Sequence, residues 1–92
     1  MNDQKKVFQT QSPSSQQIKI NLQPEIARGI YSNVALIRHT ENEFIFDFII
    51  NLDTEAHLVS RIFLSPEHAK KFLTALKENV DKYENKLKQL NR

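Results

Sequence analysis

The side chains able to transfer protons, bind a metal or attack a substrate are few in this chain. There are three histidines, His39, His57 and His68, and no cysteine. No His-x-x-x-His pair occurs, so no two histidines share one face of a helix as metal ligands do, and thiolate sites are excluded. His68 falls at the start of a predicted helix, where the dipole disfavours an imidazolium. Ser32 or Ser60 would act as a nucleophile only beside a placed base and an orienting acid, and the sequence shows neither. With a single glycine, Gly29, no glycine-rich phosphate loop can form. Glu41, Glu43, Asp53 and Glu55 cluster at expected turns and read as solubilising charge, not as a catalytic pair. These residues assign no catalytic, cofactor-binding or metal site and predict a protein that is not an enzyme.

One ionic constellation does emerge from the elements that would carry it. Ile18-Lys19-Ile20-Asn21-Leu22 alternates apolar and polar, the pattern of a half-buried strand that Pro24 ends. A short helical turn fits before Gly29, where a bend or a positive φ is expected. Ile30–His39 is apolar and branched enough for a second strand. Glu43–Leu52 is the strongest, with Phe44, Phe46, Phe48, Ile50 and Leu52 on one face and Ile45, Asp47, Ile49 and Asn51 on the other. Leu58–Leu64 is the last, with Leu58, Ile62 and Leu64 on one side. The short connections predict antiparallel hairpins. Turns centred near Asn42 and Thr54 would set Asp47 opposite Arg38 on one side and Arg61 on the other. An Arg38–Asp47–Arg61 cluster is therefore expected on the mixed face. A carboxylate held by two guanidiniums is a stabilised anion and a poor general base, so its expected role is structural.

Ser65-Pro66-Glu67 opens a helix. Serine is a preferred cap, proline suits the first helical position, and an acid favours the positive end of the dipole. Ala69, Leu73, Leu76, Val80, Tyr83, Leu87 and Leu90 then follow at alternating spacings of 4 and 3 residues, a heptad stripe that Phe72 widens. Glu78–Lys82 and Glu84–Lys88 are expected i,i+4 pairs. At ~1.5 Å per residue the helix outreaches a sheet of short strands. Its first half is expected to seal the aromatic face. Its second half, with Val80, Tyr83, Leu87 and Leu90, is expected to need another chain, as is the mixed face with Ile45 and Ile49. The fold class read from this pattern is α+β: an antiparallel β-meander of three to four strands followed by one long C-terminal helix, homo-oligomeric.

Length and composition agree with that reading. A chain of 92 residues makes one small domain with a modest core. Without disulfides or metals, association is the remaining route to stability. Residues 1–17 are polar apart from Val7 and Phe8 and are expected to be a disordered tail, or a recognition peptide centred on those two, leaving 18–92 as the domain. No signal peptide and no stretch of ~20 apolar residues is seen, so a cytoplasmic protein without membrane insertion is expected. Thirteen basic and eleven acidic residues nearly balance. Residues 66–92 carry a net +3, while 41–55 hold five acids and no base. The lysines are interleaved with acids, which favours a solvated face over a phosphate-binding one.

Several segments carry a resemblance. Gly29-Ile30-Tyr31-Ser32-Asn33, Glu43-Phe44-Ile45-Phe46-Asp47-Phe48 and Ser60-Arg61-Ile62-Phe63-Leu64-Ser65-Pro66-Glu67-His68-Ala69-Lys70, with Asn79 and Tyr83-Glu84, resemble the bacterial and archaeal family catalogued as domain of unknown function three-four-six-seven. The resemblance spans about residues 18 to 85. It implies a small stand-alone protein with no assigned activity. It also marks Tyr31, Ser32, Asn33, Asp47, Arg61 and His68 as positions of a recurring pattern. The function expected overall is that of a small non-enzymatic, oligomeric protein-interaction module. The alternative is a nucleic-acid-associated protein that uses the basic helix.

Overall fold

The computed structural model describes residues 6–11 and 17–90, with the backbone alone at 6–11 and 17. The chain divides into two compact units, at the step from Tyr31 to Ser32.

The first unit holds an antiparallel hairpin of β1 (Lys6–Gln11) and β2 (Gln17–Leu22), with Phe8 opposite Ile20, followed by a one-turn helix α1 (Pro24–Ala27). Pro24 at the first helical position needs no N–H, and Gly29 ends the turn at φ +75°, a conformation open to glycine. Two expectations change here. A strand stands at Lys6–Gln11, where a disordered tail was expected; Val7, Phe8 and Thr10 favour extended backbone, and the ladder to β2 satisfies their peptide groups. The rest of that tail, residues 1–5 and 12–16, lies outside the described residues. The strand at Ile18–Leu22 pairs with β1 and not with the meander, so residues 18–92 are not one unit.

The second unit is a three-stranded antiparallel sheet in the order β3 (Val34–His39), β4 (Phe44–Asn51), β5 (Ala56–Leu64), followed by α2 (Pro66–Leu90). This is the α+β meander with a long C-terminal helix. β4 is central, and its aromatic side chains face α2. Phe46 stacks on Phe48 at 6.3 Å between ring centroids and meets Phe72 of the helix edge-on at 5.4 Å. Phe46 is 7% exposed, and burying such a ring stabilises by roughly 1.5–3 kcal/mol.

The turns are made by side chains as much as by backbone. Thr40 Oγ1 accepts the N–H groups of Asn42 and Glu43, and Thr40 N–H donates to Glu43 O at 2.8 Å, which closes the β3–β4 hairpin. The pairing that results sets Leu36 opposite Asp47 and Arg38 opposite Ile45, two residues from the expected register. At the β4–β5 turn Asp53 takes φ +73°, its N–H bonded to Asn51 Oδ1. Arg61 does lie opposite Asp47, but a register shift after Phe48 pairs Ile49 with Leu58 and leaves Val59 as an extra residue. The bulge moves Leu58 onto the mixed face, away from Ile62 and Leu64.

β3 begins at Val34, not Ile30, because polar side chains take over the ladder before it. Asn33 Nδ2 donates to Asn51 O at 3.1 Å, and Asn51 N–H donates to Asn33 Oδ1 at 2.8 Å. The Ser32 hydroxyl shares its hydrogen between Ile49 O at 2.9 Å and Val34 O at 3.0 Å.

At the start of α2, Ser65 Oγ accepts the His68 N–H at 3.1 Å, and Ser65 O accepts the Ala69 N–H at 2.9 Å. Replacing this cap, Ser65→Ala, should lower folding stability by about 1 kcal/mol. Urea unfolding followed by circular dichroism checks this, with an unchanged midpoint excluding the cap as a contributor.

Candidate functional site

The outward face of the sheet, opposite α2, is a three-by-three array. Across its rows stand Arg38, Ile45 and Phe63; then Leu36, Asp47 and Arg61; then Val34, Ile49 and Leu58. Asp47 is at the centre. Arg61 grips it with two bonds, Nε to Oδ1 at 2.6 Å and Nη2 to Oδ2 at 2.9 Å, and Arg38 reaches diagonally from the next row to place Nη1 2.8 Å from Oδ2. A planar guanidinium matches a carboxylate in this way where a lysine would not. The structure thus brings Arg38, Asp47 and Arg61 together, although Arg38 arrives one row away from its expected place.

Asp47 is 5% exposed, while both arginine side chains are about half exposed. The hydrogen bonds from Arg61 and then Arg38 lower the Asp47 pKa from 3.8 to about 2, against the opposing effect of burial. Its carboxylate in turn raises the Arg61 pKa. One anion between two cations leaves a local net charge of +1 on this face.

The apolar members of the array are unequally covered. Ile45 is buried and Ile49 is half-buried, so of the two residues expected at an interface Ile45 presents little surface. Leu36, Leu58 and Phe63 are each more than half exposed.

α2 offers a second apolar surface. Two open grooves flank its first half. One, of about 210 Å³, is lined by Ile37, Phe44, Phe46, Ala69, Phe72, Leu73 and Leu76; the other, of about 180 Å³, by Phe46, Phe48, Ile62, Leu64, His68 and Phe72. Farther along, Val80, Tyr83, Leu87 and Leu90 are 43, 64, 40 and 76% exposed, and no residue of α2 is buried. The intrahelical ion pair among the described residues is Lys77–Asp81 at 2.9 Å, not Glu78–Lys82 or Glu84–Lys88.

The histidines lie on three elements. His39 stacks on Phe44 at 5.4 Å, His57 Nε2 lies 3.2 Å from an exposed Glu55 carboxylate, and His68 lines the smaller groove. Among the described residues no group of three or more His, Cys, Asp or Glu is placed to hold a metal, and no helix is long and apolar enough to cross a membrane. Ser32, with its hydroxyl committed to two carbonyls, and Asn33 act as strand extensions. Sequence reading placed both in a recurring pattern without a role; polar residues next to a strand start were the available signal.

The molecule is thus a small α+β scaffold with an ion triad on one sheet face and a long, incompletely covered helix on the other. It belongs to the family described as protein of unknown function DUF3467, whose model matches residues 1–92 and so extends beyond the segment that carried the resemblance. No curated protein and no solved structure matches the chain.

The depressed Asp47 pKa has a definite sign. The folded value lies below the unfolded one, so the triad's stabilisation is complete above 3.8 and is lost as pH falls towards about 2. The urea midpoint of the native protein should fall across that window. Asp47→Asn should lack that component and be less stable at neutral pH, where two arginines lose their shared anion. Parallel pH profiles for the two proteins would exclude the triad as the cause.

Proposed function

We propose that this chain is a small, non-enzymatic protein-interaction module that works as an oligomer. The observation that carries this reading is the exposed apolar surface of the second unit. Leu36, Leu58 and Phe63 on one face and Leu73, Leu76 and Val80 on the other are all more than two-fifths exposed, while Ile45 and Phe46 are the buried hydrophobic residues among those described. Apolar surface of this extent, rimmed by charge, marks contact with another protein.

The chemistry supports binding over catalysis. Asp47 is held as an anion, and the two grooves are lined by apolar side chains apart from His68. The triad gives the outward face a polar centre that fixes orientation without adding much affinity. The alternative, nucleic-acid association, draws on the helix lysines, but Asp81 already pairs with Lys77 and the phenylalanines of β4 are turned to the core rather than presented for base stacking.

Light scattering at micromolar concentration should report a mass of at least two chains of 10.8 kDa each. A strict monomer at all concentrations would remove the main support. Retention on heparin or DNA should be weak; strong retention that falls steeply with salt would favour the nucleic-acid reading instead.

A further inference from the structure

The stripe on α2 can be numbered as a heptad, with Leu73, Val80 and Leu87 at a and Leu76, Tyr83 and Leu90 at d. We propose that the occupant of this stripe is a second copy of the same chain, whose α2 runs antiparallel about a twofold axis between Val80 and Tyr83. This rests on the oligomeric reading above and specifies its geometry.

In this alignment every a residue meets a d residue. Val80 lies against the partner's Tyr83, Leu76 against the partner's Leu87, and Leu73 against the partner's Leu90. The overlap from 73 to 90 is about 27 Å long at ~1.5 Å per residue. Leu73 and Leu76 also line the larger groove with Ile37, Phe44 and Phe46, so the partner's helix end arrives beside an apolar trough that its own chain leaves open. The twofold axis repeats the contact on the other side.

Charge selects this direction. Lys77 and Glu84 occupy e positions, and in antiparallel pairs e faces e. Lys77, which bonds Asp81 of its own helix at 2.9 Å, therefore also faces the partner's Glu84, twice by symmetry. Glu84 has no ion-pair partner in its own chain among the described residues. A parallel pair would instead set Asn79 against the partner's Glu84 and Phe72 against the partner's Lys77, with no charge matched. The outward sheet face is the poorer self-partner, because a twofold contact there would oppose two triads of net positive charge.

The chain has no cysteine, so introduced ones report directly. Leu73→Cys and Leu90→Cys proteins, refolded together and oxidised, should give the mixed disulfide dimer, with neither variant linking efficiently to itself. Two variants that leave the apolar stripe intact guard against misfolding. Lys77→Glu and Glu84→Lys should each weaken self-association by about tenfold, and mixing them should restore it, since the mixed pair has both contacts attractive. A Leu90→Cys protein that links to itself would overturn the antiparallel arrangement. A dimer that shows no helix cross-link and ignores both charge variants would overturn the helix as the interface while keeping the oligomeric reading. A strict monomer would overturn both.

Discussion

Phe46 and Asp47 are neighbours on the central strand, and the alternation of a β-strand sends them to opposite faces. Phe46 demands an apolar cover, and α2 supplies it through Phe72. Asp47, buried as a charge, demands cations, and the flanking strands supply them through Arg38 and Arg61. Both demands are met only when β3 and β5 lie on either side of β4 in the observed order. A slip of one residue along β5 would turn Arg61 onto the face of Phe46 and Phe48 and take it away from Asp47. The pair therefore specifies register as well as contributing contacts. The buried ion pair is better understood in that role than as a large source of stability, because desolvation offsets much of what pairing gains.

This arrangement explains why the two sides of the sheet lend themselves to different uses. On the helix side the surface is apolar and elongated, and it lies beside open apolar grooves. On the outward side the apolar residues surround a charged centre that is already satisfied internally. Such a centre tolerates solvent and also tolerates a partner. An unpaired buried charge would tolerate neither. The family match assigns no role that would choose among partners for that side.

Much of this was legible because it depended on local signals. The alternation of Phe44 through Phe48, the Ser65-Pro66-Glu67 start and the heptad spacing each reflect an interaction among residues close in sequence. The Asp47–Arg61 pairing matches a ladder symmetric about Thr54, but the turn itself pairs Asn51 with Ala56 and so centres between Asp53 and Thr54; the extra residue at Val59 makes up the difference. What was not legible depended on choices between similar ladders. Thr40 closes its turn through its own hydroxyl and so shifts the β3 register, and nothing in its identity announces that. Val59 carries no glycine or proline to mark a bulge. Lys6–Gln11 looks too polar to order alone, but a strand needs only another strand's peptide groups, and Gln17–Leu22 provides them.

The bulge at Val59 disfavours the addition of further strands at the β5 edge. β5 is a nine-residue edge strand with Leu58, Ile62 and Phe63 exposed, the kind of edge on which foreign strands accumulate into fibres. A bulge kinks and twists its strand, so a straight incoming strand can follow it for only a few residues before the hydrogen bonds fall out of step. Asn33 and Ser32 blunt the beginning of the opposite edge by spending their side chains on β4. Both edges of the sheet are thus guarded against open-ended strand addition, one by a bulge and the other by side chains turned onto β4.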